Sequence, residues 1–248
     1  NGATVTLRLT NSTLSGNRAN SHGGGLHVTN NATAWLANVT VSGNTADDNA
    51  DGLGEGGGLY RASGTLFLKT SLVAGNSDNS VGAKRPDCSG TVLSQGYNLI
   101  GNNTGCALAL AGGDQLGTGG SPLDPKLGPL QNNGGPTFTH ALLAASPGID
   151  AGNPAGCTDA QGNLLTADQR GYPRPQDGDG NGTAVCDAGA YEVETVPATL
   201  FCSSPNLAIP DNDPAGVSDT LILTDTGSVL DLNISLDVSH TWVGDLVF

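Results

Sequence analysis

Apolar and polar residues alternate with a period of two through much of the first hundred residues, and glycine-asparagine pairs punctuate the alternation. Val5, Leu7 and Leu9 interleave with Thr6, Arg8 and Thr10, the pattern of a strand with one face buried. The punctuated pattern is Leu-x4-[Leu/Val]-x-Gly-Asn, seen as Leu9/Leu14/Gly16/Asn17, Leu36/Val41/Gly43/Asn44 and Leu68/Val73/Gly75/Asn76. A looser copy, Leu93/Leu99/Gly101/Asn102, has one additional residue between its leucines. A period of about 26–32 residues lies in the range of repeat architectures, where one short unit stacks on the next. No segment carries a convincing helical stripe, so the chain is predicted to be all-β.

Parallel stacking sets like residues over like at strand spacing. Leu9, Leu36 and Leu68 are then expected to form one aliphatic column, and Leu14, Val41, Val73 and Leu99 another. Leu93 joins the first column only if a bulge absorbs the additional residue; otherwise the slip turns it to the opposite face. Asn17, Asn44, Asn76 and Asn102 are expected to form a ladder of side-chain amides. Gly23-Gly24-Gly25-Leu26 and Gly56-Gly57-Gly58-Leu59 read as a second matched corner, and Asp47 to Glu55 as an acidic turn insertion between rungs. This pattern resembles the right-handed parallel β-helix, which implies a solenoid over residues 1–106.

Aromatic residues make up 4% of the 248, against 38 glycines, so any core must be aliphatic and thin. The formal net charge is −14, and the three cations after residue 100 are Lys126, Arg170 and Arg174. That balance argues against a nucleic-acid partner, because a phosphate backbone is engaged by Lys and Arg. It suits divalent cations or simple solubility. No transmembrane segment is visible. The chain starts at Asn1, contains no Met and ends on a strand-like run, so it reads as a fragment of a longer secreted protein. None of the five cysteines has CxxC spacing. Cys88 and Cys106 bracket the fourth rung, and Cys157 and Cys186 an acidic loop. Both pairs read as disulfides, with Cys202 left unpaired; five reduced thiols are the alternative.

Residues 107–194 break the repeat. The ordered series Gln131-Asn132-Asn133-Gly134-Gly135-Pro136, Ser146-Pro147-Gly148-Ile149-Asp150-Ala151-Gly152, Asp168-Gln169-Arg170-Gly171-Tyr172-Pro173-Arg174-Pro175 and Cys186-Asp187-Ala188-Gly189-Ala190-Tyr191-Glu192 resembles the choice-of-anchor Q domain of bacterial surface and secreted proteins. The resemblance implies a segment that ends a β-helix, and we read it as an irregular cap over the last open rung. Arg170 and Arg174 sit among Asp150, Asp168, Asp187 and Glu192, a composition that points to structural ion pairs. Asp177-Gly178-Asp179-Gly180-Asn181-Gly182 matches the first half of a calcium loop. The position of the usual bidentate Glu is Ala188, so Asp187, or alternatively Glu192, completes a set with Asp177, Asp179 and Asn181 only with a different geometry. Calcium and an ordinary ion-free turn both satisfy this sequence.

After a linker over 195–201, residues 202–248 resemble the start of a proprotein-convertase P-domain, through the run from Ile209 to Leu221 and His240-Thr241-Trp242-Val243-Gly244-Asp245-Leu246. The resemblance implies the first strands of a jelly-roll β-sandwich and a possible link to a subtilisin-like protease. No Gly-x-Ser-x-Gly elbow is present, and no catalytic residues are assigned. His22 and His27 read as surface residues and His240 as structural. Two functions compete. One is a non-catalytic extracellular or surface-displayed protein, monomeric, in a binding, adhesion or spacer role toward a carbohydrate or a surface protein. The other is a polysaccharide lyase or glycoside hydrolase with its active site in rungs before Asn1, because the acids of the rungs lie mostly in the Asp47–Glu55 insertion.

Overall fold

Ten strands pair in parallel into one sheet. In this computed structural model the described residues are 5–195, 203, 204, 206–208, 217–220 and 222. The long strands are β1 (Thr6–Ser15), β4 (Thr33–Ser42), β7 (Thr65–Lys69) and β10 (Cys88–Ser94). The short ones in the same sheet are β3 (Leu26–Val28), β6 (Leu59–Arg61), β8 (Leu72–Val73), β11 (Leu99–Ile100), β12 (Cys106–Ala109) and β13 (Gln115–Leu116). Across the sheet the order is β13-β11-β8-β4-β7-β10-β6-β3, with β1 on β4 and β12 on β10. A second sheet holds only β2 (Arg18–Ala19), β5 (Thr45–Ala46) and β9 (Ser77–Asp78). The chain divides into units Asn1–Val196 and Pro197–Phe248. The expected jelly-roll strands and Cys202 lie outside the described residues.

The all-β expectation holds, and the solenoid expectation is corrected. The main parallel sheet curls into an open half-barrel instead of closing rung by rung. It bends where an aligned file of non-glycine residues, Asn11, Asn38, Thr70 and Tyr97, takes positive φ (45° to 61°). The second sheet offers only two-residue strands, and glycine corners complete that side.

Register matches the expected columns for three rungs and departs at the fourth. Leu9 pairs with Leu36 and Leu36 with Leu68; Leu14 pairs with Val41 and Val41 with Val73. In the fourth rung Leu93 lies beside Phe67 and Ser94 beside Leu68, while Leu99 lies beside Leu72 and Ile100 beside Val73. Ile100, not Leu99, therefore continues the interior column. The additional residue is taken up near Gln95 and Gly96, where Gly96 has φ 95°, and Leu99 is turned to the other face.

The two sheet faces carry two cores. Inside the curl, Leu36, Val41, Leu59, Leu68, Val73, Val92 and Ile100 pack together. On the outer face, Leu72 and Leu99 pack with Leu142 and Ala188, flanked by Leu123, Leu127 and Ile149. Of the segment expected to cap the last rung, residues 107–116 pair onto that rung through β12 and β13, and the part that includes Leu142 and Ala188 lies along the side of the sheet. It reaches β1, β4 and β7: the Asn11 side-chain amide donates to Ala167 O, Asn38 to Thr158 O, Lys69 to Asp159 O, and just after β7 the Gly189 N–H donates to Thr70 O.

Candidate functional site

The amide ladder is present but ends differently from the expectation. Asn17 Nδ2 donates to Asn44 Oδ1 (2.8 Å) and Asn44 Nδ2 to Asn76 Oδ1 (2.9 Å). Asn76 Nδ2 then donates to Asp87 Oδ1 at 2.9 Å, so a carboxylate stands where Asn102 was expected. Asn102 instead donates its backbone N–H to Asp87 Oδ2. A second file runs from Ser71 N to Asn98 Oδ1 and from Asn98 Nδ2 to Asp114 Oδ1. An acceptor-only carboxylate is a suitable end for a chain of amide donors, since it needs no further partner of its own. Burial pushes the Asp87 carboxyl above its ordinary range, against the lowering effect of its Asn76 and Asn102 donors.

The flanking segment holds a buried ionic cluster. Arg170 Nε donates to Asp168 Oδ2 (2.8 Å), and its guanidinium lies 4.1 Å from the Tyr172 ring centroid and 3.7 Å from that of Tyr191. Arg174 donates to Glu192 Oε2 from Nε (2.9 Å) and to Asn11 Oδ1 from Nη1 (3.0 Å), tying the cluster to β1. Glu192 is fully buried; its Oε1 accepts the Gln176 N–H and its Oε2 the Asp187 N–H. Asp187 accepts the backbone N–H groups of Asp150 and Val193. Burial, and after it the Glu192 carboxylate, push Asp187 up to about 8. The aromatic sandwich of Arg170 was not foreseen. Tyr172 and Tyr191 are near that arginine in the sequence only in one case, and nothing in their spacing marks them.

The candidate metal ligands are partly brought together. Asp177 and Asp179 lie with Asp150, and one carboxylate oxygen from each falls within 4.8 Å of the others. Asn181 is turned away from an oxygen-donor role: its Nδ2 donates to Asp179 Oδ2 and its Oδ1 accepts the Thr183 N–H. Asp187 is engaged with backbone N–H groups, so Asp150 takes the place foreseen for it. The three carboxylates suit a hard cation, and Asp177 Oδ1 is buried without a hydrogen-bond partner. Asp150 is pushed above its ordinary range, by burial first and by the Asp179 charge in addition.

Cys88 is bonded to Cys106 and Cys157 to Cys186. Among the described residues no helix is long and apolar enough to cross a membrane. The Asp47–Glu55 insertion, acidic as its sequence is, is built around a fully buried Asp47 that accepts the Asp51 and Gly52 N–H groups. No family model, curated protein or solved structure matches the chain.

Proposed function

We propose that this chain is a non-catalytic extracellular protein whose folded unit serves as a rigid scaffold for display or binding. One observation carries the reading: the buried charges are engaged with backbone groups or with one another, as in the Arg170–Asp168 and Arg174–Glu192 pairs. A hydrolase needs instead two carboxylates facing a cleft, one of them free to give a proton. The two disulfides are consistent with folding outside the cytoplasm. Incubation of the intact chain with plant and bacterial polysaccharides is expected to release no reducing sugar. Release that disappears in Glu55→Gln would overturn the reading.

A calcium ion at Asp150, Asp177 and Asp179 belongs to the same proposal, supported by the convergence of their oxygens. It would neutralise the mutual repulsion of the three carboxylates and hold the 177–182 turn to the flank. Calcium at millimolar concentration is expected to raise the melting temperature by several degrees, and Asp177→Asn to abolish the rise. Equal melting curves with calcium and with chelator would count against it.

A further inference from the structure

The Asp47–Glu55 insertion and the turn after β9 enclose a cleft of about 300 Å³ lined by His22, Leu53, Glu55, Val81 and Arg85. Its walls are fixed. Asp47 clamps the Asp51 and Gly52 N–H groups, and Asp51 Oδ1 accepts the Leu53 N–H at 2.9 Å. Gly54 is required where it stands, because a Cβ there would lie 2.7 Å from Ser21 O. The Arg85 backbone is held from both sides, its N–H by Asp78 Oδ2 and its carbonyl by Gly56 and Gly57. On these fixed walls Leu53 is 71% exposed and Val81 80% exposed. Leu53 on the insertion and Val81 on the turn after β9 thus give the cleft an exposed aliphatic rim on a fixed frame.

The polar groups indicate which ligand. Glu55 Oε2 is paired with Arg85 Nη1 and also accepts the Ser89 hydroxyl, while Oε1 accepts no hydrogen bond among the described residues. The two side chains are 33% and 37% exposed, so the pair stays open to solvent. His22 is held by stacking on Tyr60 (centroids 4.2 Å apart, 11° between planes), and its Nδ1 is buried without a partner. A ligand with a net charge would be attracted by one member of the Glu55–Arg85 pair and repelled by the other. Adjacent hydroxyls avoid this conflict, since one can donate to the carboxylate while its neighbour accepts from the guanidinium. The C–H face of a sugar ring suits the aliphatic rim formed by Leu53 and Val81. The volume lies at the small end of ligand sites.

We propose that this cleft binds a neutral sugar of one or two rings without transforming it; the inference rests on the non-catalytic reading above. The test is saturation-transfer NMR and calorimetry on the intact chain with maltose, cellobiose, lactose and N,N′-diacetylchitobiose. At least one is expected to bind, and Arg85→Met and Glu55→Gln each to weaken it tenfold or more. Val81→Ser, at a side chain too exposed to matter for folding, is expected to weaken binding with an unchanged melting temperature. No transfer from any of the four sugars, or affinities unaltered in all three variants, would overturn the proposal, as would tighter binding of glucuronate or glucosamine. Recovery of cleaved sugar would sustain the binding site and sink the non-catalytic reading; absence of binding would leave that reading standing.

Discussion

Asn44 has more bonds than any other member of the ladder. Itself fully buried, it donates to Leu14 O and Asn76 Oδ1 from its amide and accepts from Asn17 through Oδ1. Replacing it by Ala strands donors and acceptors on two rungs, and Asn44→Ala is expected to cost about 2–3 kcal/mol in urea unfolding. Asp87 adds a pH dependence. Its carboxyl binds a proton more tightly in the folded chain than in the unfolded one, because burial raises it. The stabilisation it contributes is therefore complete below the unfolded value, about 4, and is lost as pH rises through the raised folded value. Melting temperatures measured from pH 4 to 7 should fall more steeply in the wild type than in Asp87→Asn. The first three asparagines were legible as a ladder because each follows a corner glycine. Asp87 was not, since it reaches the file from a different turn.

Strand register shows where pattern reading works and where it stops. Like residues stack over like through β1, β4 and β7, so Leu9, Leu36 and Leu68 could be matched from the sequence alone. The fourth rung carries one residue more, and nothing in Leu93 to Leu99 says where the chain takes it up. The sheet pairs Ile100 with Val73, which buries Leu99 against Leu72 on the flank side and leaves Leu93 half-buried beside Phe67. This register has a measurable signature. Leu99→Ala should cost about 2–5 kcal/mol, the range for a fully buried leucine, and Leu93→Ala much less. Equal losses in chemical denaturation would contradict the pairing. The open curl was also hidden: Asn11 and Asn38 are residue types that tolerate positive φ, but Thr70 and Tyr97 give no such hint.

At the scale of the whole described unit, residues 107–194 are the least legible part. Beyond β12 and β13 they meet the sheet through an apolar seam, Leu142 and Ala188 against Leu72 and Leu99, and through polar groups about 90 to 160 positions away, such as Lys69 to Asp159 and Asn11 to Ala167, and no local period reports them. The Cys157–Cys186 bond closes a loop within this flank and Cys88–Cys106 one within the rungs. Removing Cys157–Cys186 by paired Ser substitution is expected to cost about 3 kcal/mol and to loosen the flank before the rungs, seen as earlier amide exchange over residues 150–190. Stacked units that touch only their neighbours can open singly from either end. Here the flank clasps Asn11 in the first rung, Asn38 in the next and Thr70 in the one after. Detaching any one of these three rungs therefore also means breaking its polar tie to the flank, a cost that a unit held only by its neighbours does not carry.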